Sequence, residues 1–285
     1  MKIAITGATG QLGHLVIDAL LKRTDASQII ALVRNESKAE DLKNKGVELR
    51  HFDYDQPEQL AASLEGVDKL LLISANEVGR RTPQHQAVIE AAKTAQVPYI
   101  AYTSLLRADS NPMPLAKEHV ETEKLILESG LSYTFLRNNW YNENYLANVN
   151  PAIEHGALYG AAQNGQISSA SRQDYAEAAA EVLTTHGHDN KTYELAGSDS
   201  FTLTDMAAYI SEASKKEVKY QDLSPEQYTD ALLQAGLPKA LVEVIVDADK
   251  ETVNGAMYSD SKDLETLLKR KTTSIQYQIK MLFTH

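Results

Sequence analysis

A short apolar strand at residues 2–5 runs straight into the octet TGATGQLG, which carries glycines at positions 7, 10 and 13 and opens an apolar helical pattern. The geometry of such a junction explains the glycines. Gly7 can take the positive φ that a tight strand-to-helix turn demands. The missing Cβ at Gly10 lets an anion approach the backbone closely, and Gly13 lets the helix pack tightly on the strand. The amides of the first helical turn then point at that anion, aided by the helix dipole. Three glycines alone are a weak signal, but their setting makes them specific. Residues 11–22 place Leu12, Leu15, Val16, Ala19 and Leu20 on one helical face, and a second apolar strand follows at 29–33. Gly7, Ala8, Thr9, Gly10, Gln11, Leu12 and Gly13 are therefore expected to hold the diphosphate of a dinucleotide.

The alternation continues, with apolar strands at 48–52, 69–73, 99–103 and 133–136 and helical patterns at 57–64, 83–94 and 115–128. Repeated units of this kind imply right-handed crossovers and a parallel sheet covered on both faces, with the ligand at the carboxyl ends of the strands. The expected fold class is α/β, a Rossmann-type doubly wound parallel sheet over residues 1–140 with a smaller, mainly helical C-terminal lobe over 141–285. Within the second stretch, 142–173 is rich in Asn, Gly and Ser and shows little periodicity. Asp174 reads as the cap of an alanine-rich helix, with 174–184 returning to the large domain. Further helical patterns lie at 204–214, 225–234 and 239–253.

Composition narrows the partners. The 285 residues are 43% apolar and 24% charged, an ordinary globular balance. No apolar run approaches the ~18 residues of a spanning helix, and a chain that begins on a core strand leaves no room for a secretion signal, so a cytoplasmic protein without membrane insertion is expected. The absence of cysteine excludes disulfides, thiolate nucleophiles and sulfur-ligated metal. The eight histidines are scattered without a ligand spacing, so no metal is expected. A net charge of −11 disfavours nucleic acid as a direct partner. Assembly into a homo-oligomer is left open.

The octet TGATGQLG, the strand ending ALVRN, the block AYTSLL, and ESGLSYTFLRNNWYNENYL followed by QDYAEAAAEVL and YELAG resemble the NmrA-like group of atypical short-chain dehydrogenase/reductases. The resemblance runs over essentially the whole chain, and within the group it is strongest to the bacterial NAD(P)H:quinone oxidoreductases. It implies a nucleotide-binding Rossmann fold, and either a reductase or a protein that binds the nucleotide as a redox sensor.

Charge argues the choice of cofactor. A carboxylate ~20 residues past the last glycine would bond an adenosine 2′-hydroxyl and repel a 2′-phosphate. This chain ends its second strand in Arg34, whose guanidinium can fork onto a phosphate, so NADPH is expected, with Glu36 nearby as the opposing feature. Asp53 matches the family position near the adenine amino group, and equally suits the cap of a turn. The resemblance places Ser74, Ala75 and Asn76 beside the ribose and pyrophosphate. Ser104 occupies the place of the serine that positions a carbonyl in ordinary short-chain dehydrogenases, or else satisfies its own turn.

Ordinary members of the wider family also carry a Tyr and, four residues on, a Lys that lowers the phenol pKa. Here the lysine position falls on His119 and the tyrosine position on Leu115; an alternative register uses Lys117 and Met113. Neither restores the pair. His119 is expected either to contact the nicotinamide ribose or to be a partly exposed helix histidine, and an unperturbed imidazole could donate a proton.

Without a placed acid, alcohol oxidation, epimerisation and dehydration are poorly served. A quinone accepts hydride readily and leaves a stabilised phenolate that water can protonate. The tract RNNWYNENY, just past the sixth strand, supplies rings and amides for a planar substrate, unless it is a polar crossover helix. Asn138, Asn139, Trp140 and Tyr141 are expected at the cofactor, Trp140, Tyr141, Tyr145 and Arg172 at the substrate, and Asn139, Ser104 and His119 at the chemistry. The expected function is an NADPH-dependent reductase passing hydride directly to a quinone without flavin or metal. The alternative is an NADP(H)-binding regulator acting through protein partners.

Overall fold

The computed structural model describes residues 1–77 and 79–284. Its strands are β1 (Ile3–Ile5), β2 (Ile29–Val33), β3 (Glu48–His51), β4 (Lys69–Leu72), β5 (Tyr99–Leu105), β6 (Ser132–Asn138), β7 (Ala157–Gly160), β8 (Lys191–Leu195) and β9 (Lys219–Asp222). Its helices are α1 (Gln11–Leu20), α2 (Glu40–Asn44), α3 (Pro57–Ser63), α4 (Arg81–Thr94), α5 (Ala116–Ser129), α6 (Asn142–Leu146), α7 (Val149–His155), α8 (Arg172–Thr184), α9 (Leu203–Ser214), α10 (Pro225–Gln234), α11 (Lys239–Val253), α12 (Asp263–Leu268) and α13 (Ile275–Met281). The chain divides into two compact units. Residues 1–109, 116–138 and 172–194 form the first, and 110–115, 139–171 and 195–285 the second.

The first unit is a seven-stranded sheet in the order β3-β2-β1-β4-β5-β6-β8. Neighbouring strands from β3 to β6 pair in parallel, with Ile5 in register with Ala31 on one side and Leu71 on the other. The strands β1, β2 and β5 are buried along their whole length, which is why their sequences read as apolar runs without alternation. By contrast, β3 at the edge is only partly buried and carries Glu48 and Arg50, as an edge strand in water should. Strand order reverses between β1 and β4, the point at which doubly wound sheets open a crevice for ligand. The alanine-rich α8 packs against α1, and its buried Ala176, Ala178, Ala179 and Ala180 are small side chains of the kind that let helices approach closely.

The second unit joins helices α6, α7 and α9–α13 to a two-stranded parallel sheet of β7 and β9. Its core holds Ala161, Tyr228, Val242 and Val246. Here the sequence expectation needs correction in two places. The stretch 142–173, read as lacking periodicity, contains α6, α7 and β7; elements of five, seven and four residues are too short to show a period. The helix assigned to an Asp174 cap begins at Arg172, with Asp174 buried inside its first turn.

Candidate active site

The turn after β1 is built for close approach. Gly7 sits at φ +58°, and the Gly10 amide closes the turn onto the Gly7 carbonyl at 2.9 Å. Gly10 is extended and precedes α1, where no side chain caps the helix and no acidic residue lies in the first turn. A Cβ on Gly13 would stand 2.3 Å from the Gly7 oxygen and 2.9 Å from the Ala8 Cα. Gly13 therefore protects the turn itself, a more local task than the helix-on-strand packing expected of it. An uncapped, acid-free helix N-terminus behind a backbone-only turn fits a diphosphate.

Around it lie the ends of the neighbouring strands. Arg34, directly after β2, is exposed, and no carboxylate pairs with it among the described residues. Asp53, after β3, accepts the Asp55 amide at 3.1 Å and the Gln56 side chain at 3.3 Å, so its carboxylate serves the local turn.

Residues 73–76, which leave β4, are held almost entirely by side chains. The Ile73 amide donates to Thr6 Oγ1 at 2.9 Å, the Ser74 amide to Thr103 Oγ1 at 2.9 Å, and the Ala75 amide to His85 Nε2 at 2.9 Å. Arg81 Nε donates to the Ala75 carbonyl at 2.7 Å. Through Thr6 this loop is fixed directly beside the glycine turn. His85, Arg81 and Thr103 were not singled out by the sequence reading. The signal available was the i, i+4 spacing of Arg81 and His85, which puts both on one face of α4.

The two registers considered for the missing lysine can now be compared. His119 is on the buried face of α5, whereas Lys117 is exposed. His119 Nδ1 lies 2.7 Å from the Tyr102 hydroxyl. Burial first, and then the charge of Arg81 and the neighbouring His85, hold the His119 imidazole well below its usual pKa, so the ring is neutral at physiological pH. The expectation of an unperturbed, proton-donating histidine does not fit this environment. Burial likewise raises the Tyr102 phenol. Ser104 is buried on β5, and its hydroxyl has no hydrogen-bond partner among the described residues. A buried, unmatched hydroxyl at the ligand end of a strand is available to a ligand. Asn138 ends β6, its carbonyl accepting the Leu106 amide at 3.0 Å. Arg172, half-buried, opens α8 in the same unit.

The rest of the RNNWYNENY tract belongs to the second unit, and its Asn139 and Asn142 side chains are buried while Asn144 is exposed. The Asn139 carboxamide donates to the carbonyls of Ser168 and Met257, both at 2.9 Å, and accepts the Trp140 amide at 2.8 Å. Both its protons are thus occupied. Asn142 similarly donates to the Thr273 carbonyl and Gln278, and accepts from Ser169. Tyr145 is buried, edge-on to Phe201 at 5.7 Å between ring centres. Trp140 and Tyr141 remain half-buried. Among the described residues no three His, Cys, Asp or Glu side chains converge as a metal-ligand set, and no helix is long and apolar enough to cross a membrane.

These features have close counterparts in known proteins. A family model described as NAD(P)H-binding matches residues 7–186. Quinone oxidoreductase 2 of Escherichia coli K12 is 51% identical over 281 residues, covering 99% of this chain and 98% of the relative. A crystal structure of an NADPH-dependent quinone oxidoreductase from E. coli, complexed with NADPH, superposes with a TM-score of 0.97 at 51% identity, covering 99% of this chain and 100% of that one. An NmrA-like family domain-containing oxidoreductase of Aspergillus flavus is 30% identical over 90% of this chain and 87% of its own length. The chain therefore belongs to the NAD(P)H-binding, NmrA-like family.

Proposed function

We propose that this protein is an NADPH-dependent quinone reductase. The observation that carries the reading is 51% identity along virtually the whole chain to a quinone oxidoreductase, and a glycine turn with no room for a Cβ at Gly13 supports it. Gly7, Gly10 and Gly13 with the first-turn amides of α1 would hold the diphosphate, Arg34 the 2′-phosphate, and residues 74–76 the adjoining ribose. Bound NADPH would supply the hydride, and neither flavin nor metal is required.

The chain's own part is placement. With His119 held neutral and Tyr102 a weaker acid than usual, neither is poised to release a proton at neutral pH. A quinone tolerates this, because its reduced oxygen is a stabilised anion that solvent can protonate. Ser104 offers an unmatched hydroxyl to orient a ligand oxygen.

Purified protein mixed with NADPH and a panel of small quinones should oxidise the nucleotide, followed as loss of nicotinamide absorbance, with NADH a poorer donor. Tight nucleotide binding with no turnover on any quinone would favour the sensing role instead.

A further inference from the structure

Three consecutive amides after β4 and the carbonyl of Ala75 are bound by side chains from the glycine turn, β5 and α4, and two of the bonds come from one turn of α4. His85 Nε2 accepts the Ala75 amide and Arg81 Nε donates to the Ala75 carbonyl, so the peptide planes on both sides of Ala75 are fixed. A sheet ladder would normally do this, but the ladder ends at Leu72. We propose that His85 and Arg81 are positioning residues for the dinucleotide, gripping Ala75 from α4 so that residues 74–76 present a fixed wall beside the glycine turn. This rests on the nucleotide-binding reading above.

The hydrogen-bond directions support it. Because the Ala75 amide can only donate, Nε2 must be the unprotonated nitrogen, and Nδ1 carries the proton toward Thr122 Oγ1 at 2.9 Å. Thr122 in turn donates to the Glu118 carbonyl at 2.8 Å. A protonated ring would set an N–H against the Ala75 N–H and release the loop. The site guards against that state. His85 is fully buried, and burial together with the neighbouring Arg81 charge pushes its pKa down to about 3. Arg81 is itself steered by Glu118, whose carboxylate lies 3.4 Å from Nη1 and also accepts the amides of Gly79 and Arg81. Groove-lining loops of this kind lower affinity when loose, because the bound shape must first be selected from many.

The test is direct NADPH titration alongside steady-state kinetics on the full-length protein. His85→Leu removes the acceptor and should raise the NADPH Kd and KM at least tenfold, with kcat at saturating NADPH within about threefold of the parent. His85→Gln, whose amide oxygen can accept the Ala75 N–H while its NH₂ faces Thr122, should return both constants to within about threefold. A purely structural role would lower the melting temperature in both variants without this split and without the glutamine rescue. Should His85→Leu fail to fold, Arg81→Met, which keeps the apolar stem and loses the Nε–H, should show the same rise in Kd. A folded variant of either kind with parental Kd and KM would overturn the proposal. Failure of the parent protein to bind NADPH would instead remove the nucleotide reading on which it stands.

Discussion

The glycine turn with its companion loop, residues 7–13 and 74–76, and the tract 138–145 were both marked by sequence as site, yet they are built in opposite ways. In the first, side chains are consumed in fixing backbone, and hydrogen-bonding capacity is left open in and around it: amides at α1 without a side-chain cap, an exposed Arg34, an unmatched Ser104 hydroxyl. In the second, the density of amides and rings looked functional, but Asn139 and Asn142 knit together the carbonyls of Ser168, Met257 and Thr273, and Tyr145 is core. Polar richness alone does not distinguish a ligand surface from a buried knot. The informative quantity is how much hydrogen-bonding capacity the fold leaves unused.

That contrast can be broken most sharply at Gly13. A Gly13→Ala methyl would meet the Gly7 oxygen at 2.3 Å, a distance no relaxation of a rigid turn absorbs cheaply, so NADPH affinity should fall about a hundredfold or more, ~3 kcal/mol by titration. Near-parental affinity would show that the turn does not need its present geometry to bind. Next is Asn139→Ala. Three buried hydrogen bonds are lost, and the protein should lose about 2–4 kcal/mol of stability in thermal or denaturant melts, while the NADPH Kd of the folded fraction changes little. The opposite pattern, an unchanged melt with collapsed turnover, would return Asn139 to the chemistry. Arg34→Glu should weaken NADPH by roughly thirtyfold, about 2 kcal/mol, and leave NADH nearly untouched. Equal weakening of both would remove the 2′-phosphate role.

An effect on stability rather than affinity is expected in the second unit's interior. Asp249 is buried, accepts the Ala161 amide at 2.8 Å, and has its pKa raised by burial to about 6. The folded state therefore holds that proton more tightly than the unfolded one. The associated stabilisation is complete below about pH 4 and is lost as pH rises through 6. Asp249→Asn, which keeps an acceptor for Ala161, should stabilise the protein by about 1–3 kcal/mol at pH 8 and converge with the parent near pH 4. A parent and variant with parallel stability curves over that range would show that Asp249 does not titrate in the fold.

Legibility in the sequence followed the range of the interactions involved. The turn at Gly7 to Gly13 and the alternation of strands with helices are local or periodic, and both were readable from residue pattern and spacing. The corrections fall where partners are remote: Asn139 bonds Met257 at a separation of 118 residues, so nothing near Asn139 announces that its carboxamide is occupied. The grip on Ala75 was hidden for a different reason. Arg81 and His85 sit on a helix whose other residues form an ordinary buried face, and only the end of the β4 ladder shows what they hold. The unperturbed imidazole expected of His119 does not fit its environment, since sequence gives the ring but not the burial that neutralises it.

Arg34 stands in solvent with no carboxylate partner among the described residues. On the proposed reading, the guanidinium that tells one cofactor pool from the other is therefore open to dissolved ions. At an ionic strength near 0.15 M charges are screened over about 8 Å, and at 1 M over about 3 Å. Added salt should erode the preference for the phosphorylated nucleotide while sparing the amide contacts of the diphosphate, so that cofactor selectivity becomes a property of the medium as well as of the chain.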